Sequence, residues 1–325
     1  MVGVRGAVLV AGLALVLGGC SAVVPGSAVP VPDPTSTPPP EPTAERLLGD
    51  MTTVDPCGQV EPADLARFGA AEVGPTESLD YCLLKLTTPA GTGVDVVAGS
   101  LDRVIDRAEL TGRLTFYEGL DVVEVPGDEL HCERVLVFPD QVTLSVSADN
   151  RSSGGTTGAE LCAIADALVR AVADRVLAGD VVHRDFGPKS LGAVDACRGL
   201  ADSTVARLPG LAGARARKYP SGHQCRWARA NDPSPPRVRV LHSVGRMAEP
   251  DGGDVTREEI GGRPTSVTRV GSAVLCAAET EHVPFEDGLN ELVLVVVTLG
   301  AGGRIDDACA AARTFAAEVW GNLPG

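Results

Sequence analysis

Beyond residue 45 the chain is a succession of short apolar, β-branched runs broken by Gly-, Pro- and Asp-rich stretches, which is the pattern of strands. YCLLKLT (81–87) and VDVVAG (94–99) are followed by LDVVEV (120–125), ELHCERVLVF (129–138) and QVTLSVSA (141–148). A second series follows the same order: HQCRWAR (223–229), RVRVLHSV (237–244), TSVTRV (265–270), SAVLCAAETEHV (272–283) and ELVLVVVTL (291–299). Each series opens on a short helix-like segment, EPADLARFG (61–69) or RGLADSTVARLPG (198–210), with acidic residues early, where a helix N-terminus favours them. Each closes on an amphipathic helix, AELCAIADALVRAVADRVLA (159–178) or IDDACAAARTFAAEVWGNL (305–323). The predicted fold class is α+β: two tandem units, each a mostly antiparallel sheet with its helices on one face.

Finer matches support the repeat. Val54-Asp55-Pro56-Cys57 recurs as Val194-Asp195-Ala196-Cys197, and Leu65-Ala66-Arg67 as Val205-Ala206-Arg207. Cys57, Cys82, Cys132 and Cys162 match Cys197, Cys225, Cys276 and Cys309 at offsets of 140, 143, 144 and 147, which grow only by loop-sized insertions. The expected units span 45–180 and 190–323, joined near AGDVVHRDFGPKS (178–190). Four cysteines per unit allow three pairings, and spacing does not choose among them. The pairing adopted here joins first with second and third with fourth: Cys57–Cys82, Cys132–Cys162, Cys197–Cys225 and Cys276–Cys309. Each would close a loop of about 25–35 residues, worth roughly 3–4 kcal/mol by loop entropy.

The first residues differ in kind. MVGVR carries Arg5, Gly6–Gly19 is apolar but short of the roughly 20 residues a membrane span needs, and a polar proline-rich stretch follows. Residues 1–19 read as a signal peptide. Leu17-Gly18-Gly19-Cys20 resembles the lipobox of bacterial lipoproteins, which implies cleavage before Cys20, acylation of its thiol with chains such as palmitate, and tethering to the outer face of the cell membrane. Residues 20–44, rich in Pro, Ser and Thr, read as an extended spacer. With Cys20 acylated, eight of the nine cysteines remain, an even number suited to disulfides in an exported protein.

The Asp-Pro-Cys opening at 55–57, the Cys225-Arg226-Trp227 motif, the four-cysteine register and the lipobox together resemble an actinobacterial lipoprotein family whose domain is of unknown function, here as two copies. The second copy departs at Ala196, where the first has Pro56, and the first at Leu84, where the second has Trp227. More distantly the layout is similar to disulfide-bonded extracellular sensor domains of some actinobacterial receptor kinases. That likeness implies a ligand-sensing or interaction role and supplies no active site.

Charge and chemistry narrow the function classes. A formal net charge of −15, spread along the chain, argues against nucleic acid as a partner. No Gly-x-Ser-x-Gly, His-Glu-x-x-His or Ser-x-x-Lys motif is present, and His131, His183, His223, His242 and His282 are dispersed, so no catalytic residues, metal or cofactor are expected. Gly300-Ala301-Gly302-Gly303, after a strand and before a helix, lacks the glycine spacing of a dinucleotide loop and reads as a turn. One local exception to the acidic surface is Arg215, Arg217, Lys218, Arg226 and Arg229, interleaved with Tyr219 and Trp227. It is a candidate patch for an anion or a partner. The expectation is a membrane-anchored, noncatalytic binding, sensor or interaction module of the cell envelope, holding a protein, wall fragment or lipid. The alternatives are an envelope hydrolase with an unrecognised site and a structural subunit of an export or wall-assembly complex.

Overall fold

The computed structural model describes residues 41–104, 110–151, 155–229 and 232–325. The signal peptide, Cys20 and the spacer as far as residue 40 lie outside the described residues. Residues 41–325 form one compact unit.

The first half opens with α1 (Ala44–Leu48) and two 3₁₀ turns, Pro56–Gln59 and Pro62–Leu65. Seven strands follow: β1 (Ala70–Val73), β2 (Tyr81–Thr87), β3 (Gly93–Arg103), β4 (Arg113–Tyr117), β5 (Leu120–Glu124), β6 (His131–Val137) and β7 (Val142–Asn150). They are capped by α2 (Gly158–Ala178). The second half has 3₁₀ turns at Leu191–Ala193 and Ala196–Gly199, then α3 (Asp202–Val205). Its strands are β8 (Arg215–Lys218), β9 (Gln224–Arg229), β10 (Asp232–Gly245), β11 (Val255–Ile260), β12 (Arg263–Val270), β13 (Leu275–Pro284) and β14 (Asn290–Thr298), before α4 (Ile305–Gly321). The strands make two seven-stranded sheets, β1-β2-β3-β7-β6-β5-β4 and β8-β9-β10-β14-β13-β12-β11, with every pairing antiparallel. Replacing each strand of the first order by its counterpart in the second half reproduces the second order.

Helices are few among the described residues, and only α2 and α4 exceed five residues. The chain is therefore a mixed α/β protein dominated by two antiparallel sheets, and the expected α+β class fits it loosely. The predicted strands are present, but four were not predicted: β1, β4, β8 and β11, the two edges of each sheet.

Each long helix covers one sheet face. α2 starts on a capping box in which Thr157 accepts from the Glu160 amide and the Glu160 carboxylate accepts from the Thr157 amide; it ends at left-handed Gly179. Its stripe of Leu161, Ile164, Leu168, Val172 and Val176 is buried against β6 and β7. α4 lays Ala308, Ala312, Phe315, Ala316 and Val319 on β13 and β14 in the same way. The Gly300–Gly303 segment is the turn before α4.

Disulfides tie both layers. Cys132–Cys162 and Cys276–Cys309 join a central strand to the closing helix, and Cys57–Cys82 and Cys197–Cys225 join the opening 3₁₀ turn to β2 and β9. The Asp-x-Cys motif has a local reason: Asp55 and Asp195 each accept the amide of the cysteine two residues on, capping matching 3₁₀ turns.

The two halves also hold each other. The Asp55 amide donates to the Val182 carbonyl (2.9 Å) and the Arg184 amide to the Thr53 carbonyl (2.7 Å), so the connecting segment returns along the first half's opening. Ser78 bridges to Ser243, whose hydroxyl donates to the Glu77 carbonyl at 2.7 Å.

Candidate functional site

The predicted basic patch is partly assembled by the second sheet. Register places Arg217 of β8 opposite Arg226 of β9, and Arg226 opposite Arg239 of β10, so three guanidiniums stand in one cross-strand row. The neighbouring row holds Arg215, Ala228 and Arg237. Alternation puts both rows on the outer face, because Ala216, Trp227 and Val238 between them point to the core, where Trp227 and Val238 are fully buried. Like charges placed directly opposite repel. Little offsets that repulsion among the described residues. Arg217 pairs with Asp102 at 3.0 Å and also reaches the Arg103 carbonyl; Arg239 Nη2 donates to Gln224 Oε1 at 2.7 Å; Arg226 and Arg237 have no carboxylate partner. The Nε atoms of Arg237 and Arg239 are buried without an acceptor. Burial, with Arg237 and Arg226 adding to it, pushes the Arg239 guanidinium below its usual pKa, against an opposing pull from Tyr219 and Asp80.

The fold does not require arginines here. Measured from the disulfide-bonded cysteine of each second strand, Leu83 and Val97 of the first sheet stand where the second has Arg226 and Arg239, and Asp95 stands where it has Arg237. Asp95 is neutralised, opposite Lys85 and bonded to Arg151 at 2.5 Å.

The remaining members of the predicted patch each lie beside a carboxylate. Lys218 pairs with Asp195 at 2.8 Å, Arg229 pairs with Asp232 at 2.8 Å at a strand end, and exposed Arg215 sits 3.8 Å from Asp202. Trp227 is core, its indole N–H donating to Asp202 at 2.8 Å. Arg237 and Arg239 were missed although RVRV is visible in the sequence: alternation marks them as neighbours along one strand, but only cross-strand register brings them beside Arg217 and Arg226.

Next to this face the halves meet in a buried polar junction. Asp80, just before β2, accepts from His223 Nδ1 at 2.9 Å and from Gln224 Nε2 at 2.5 Å, and the Asp80 and His223 side chains are 2% and 1% exposed. His223 Nε2 faces the Gly192 carbonyl at 3.2 Å, so an oxygen stands within hydrogen-bond distance of each ring nitrogen. Burial alone would push Asp80 up, yet the His223 and Gln224 contacts hold it below the usual carboxylate range. The approach depends on Gly99: with φ +133°, a Cβ there would meet the Asp80 carbonyl at 2.3 Å. Gln224 joins this junction to the arginine row, bonding Asp80 through its amide nitrogen and Arg239 through its oxygen.

The histidines are less dispersed than the sequence implies. His242 and His282 each exert or feel a charge effect within the His223 neighbourhood; burial pushes His242 down to about 4, and its Nδ1 donates to the Leu191 carbonyl at 3.1 Å. His282 Nε2 donates to the Lys189 carbonyl at 2.8 Å. Among the described residues no three His, Cys, Asp or Glu side chains gather as a metal site. His131 and Ser147 both bond Asp149, at 2.6 Å and 2.8 Å through different oxygens, so the hydroxyl is held by the carboxylate and the three do not form a nucleophile–base pair. A cavity beside Asp80, lined mainly by Leu79, Ala98, Leu101, Leu144 and Val172, is about 20 Å³, room for a single water and not for an organic substrate.

Comparison with known proteins adds a family likeness. The model of a family described as "Protein of unknown function (DUF3558)" matches residues 15–175, just under half of the chain and the part that holds the first sheet. This portion fits an uncharacterised family. No curated protein matches. Among solved structures the chain is similar to the crystal structure of DynU16, from the dynemicin biosynthetic locus, at 14% identity over 77% of this chain and 76% of that one, with a TM-score of 0.18. A likeness that slight carries no argument.

Proposed function

We propose that the protein is a lipid-anchored extracytoplasmic binding module, two copies of one disulfide-stapled sheet unit, whose second sheet takes a multiply charged oxyanion on its arginine face. The observation that carries the binding reading is the row Arg217, Arg226 and Arg239 with Arg237 beside it, concentrated on one face of a chain whose net charge is −15. Guanidiniums bind phosphate and carboxylate through paired N–H donors, and a bound anion would relieve the repulsion among these four.

Support for the duplication is the equivalent strand order, the matched Asp-capped cysteine turns and the cysteine register. The anchor reading rests on the signal-peptide pattern and Cys20, and it places the arginine face outside the membrane at the end of a proline-rich spacer.

Calorimetric titration of the full chain with inorganic pyrophosphate and with citrate tests the reading. Saturable binding that weakens as salt is added is the expected result, and a preference between the two probes distinguishes phosphate from carboxylate ligands. No binding of either probe at millimolar concentration would overturn it.

A further inference from the structure

The sheets end on β4 and β11, and these two edges differ in a way the fold does not demand. Each lies in a hairpin closed by a two-residue turn, Glu118-Gly119 between Tyr117 and Leu120, and Gly261-Gly262 between Ile260 and Arg263. Counting back from the turns, Leu114 and Phe116 of β4 stand where β11 has Arg257 and Glu259. Charged side chains on an edge discourage pairing with another chain, and β11 follows that rule. β4 does not. Leu114 and Phe116 are 58% and 72% exposed, while Val123, Val135 and Val137 further in on the same face are buried.

Backbone geometry points the same way. Tyr117 and Leu120 flank a two-residue turn as a hydrogen-bonded pair, so Arg113, Thr115 and Tyr117 direct their backbone groups to β5. Leu114 and Phe116 direct theirs to the open edge.

We propose that β4 pairs with β4 of a second copy, antiparallel about a two-fold axis at Thr115, joining two first sheets edge to edge. This register is self-complementary. Leu114 of each copy faces Phe116 of the other, apolar against apolar on one face, and these are the two residues with backbone groups to share. Arg113 meets Tyr117 across the axis, so no like charges oppose. A contact of one short strand is smaller than the roughly 1,200–2,000 Å² of a stable interface, so the dimer is weak in free solution and favoured when copies crowd on one surface.

Sedimentation equilibrium of the full chain, with and without the double substitution Leu114→Lys and Phe116→Lys, tests the pairing. The substitutions set lysine opposite lysine twice across the axis, and like charges directly opposite repel. The wild-type chain is expected to dimerise reversibly at concentrations on the order of 0.1 mM, and the variant to associate at least tenfold more weakly. A wild-type chain that stays monomeric, including one whose edge serves a strand of another protein, or a variant that dimerises equally, overturns the proposal. Should the double variant misfold, Thr115→Cys reads the same register. The paired Cα atoms would be about 4.5 Å apart, within disulfide range, so Thr115→Cys should give a reducible dimer and Arg113→Cys should not. Equal cross-linking at both positions contradicts the pairing.

Discussion

The buried junction makes a quantitative demand. In Asp80→Ala, the His223 ring and the Gln224 amide both lose their acceptor, in a place where the Asp80 and His223 side chains are 2% and 1% exposed. Water cannot replace the lost partner and salt screens little. Leaving a buried donor without its acceptor costs about 1–3 kcal/mol, and two donors lose theirs here. The double variant Asp80→Ala with His223→Ala removes both groups, so it should cost less than the sum of the single variants by at least about 1 kcal/mol. An exposed pair supplies the control: Arg269 and Asp306 are 34% and 61% exposed, and Asp306→Ala should cost less than about 1 kcal/mol. Urea unfolding at pH 7, followed by the fluorescence of buried Trp227 and Trp320, gives all four values. Since Asp80 is held below its ordinary pKa, its contribution is intact at pH 7 and is lost only as pH falls below about 4. A loss under 1 kcal/mol for Asp80→Ala, or strict additivity in the double variant, would refute the claim that this pair locks the two halves.

Two further outcomes are expected. His242 is buried in its neutral form with a folded pKa of about 4, below the unfolded value near 6.5, so the unfolded chain binds more protons between those limits. The stability it contributes is complete above about pH 6.5 and falls by up to about 3 kcal/mol as pH drops toward 4; His242→Phe should flatten that decline in urea unfolding measured across the range, and an unchanged slope would show that His242 is not its source. Cys20→Ala should move the protein from the membrane fraction to the soluble fraction of fractionated cells, and continued firm attachment would show that the chain is not held by a lipid on Cys20.

Central elements of the fold were legible because they are buried on at least one face. YCLLKLT coincides with β2, and the apolar stripe of α2 announces itself in the spacing from Leu161 to Val176. The edges were not legible. Ala70–Val73, Arg113–Tyr117, Arg215–Lys218 and Val255–Ile260 are short and largely exposed, so neither length nor alternation distinguishes them from loop. Much that is distinctive about this protein sits on those edges: Arg217 on β8 and the Leu114/Phe116 pair on β4. The Asp80–His223 contact was out of reach for another reason. It joins residues 143 apart in different halves, and nothing local to either marks it. The arginine row was half visible, since clustering in sequence found Arg217 and Arg226, while Arg237 and Arg239 required the β9–β10 register.

The most direct test of the binding reading compares two single substitutions in the full chain titrated with pyrophosphate. Arg226→Gln removes the central cation of the row, which has no carboxylate partner among the described residues; Arg215→Gln removes an exposed arginine already beside Asp202. A charge-assisted hydrogen bond is worth about 1.5–3 kcal/mol, so Arg226→Gln should weaken binding roughly 10- to 100-fold. Arg215→Gln should change it less than about threefold. Equal effects of the two substitutions, or none from Arg226→Gln, would contradict the assignment of the arginine face as the binding site.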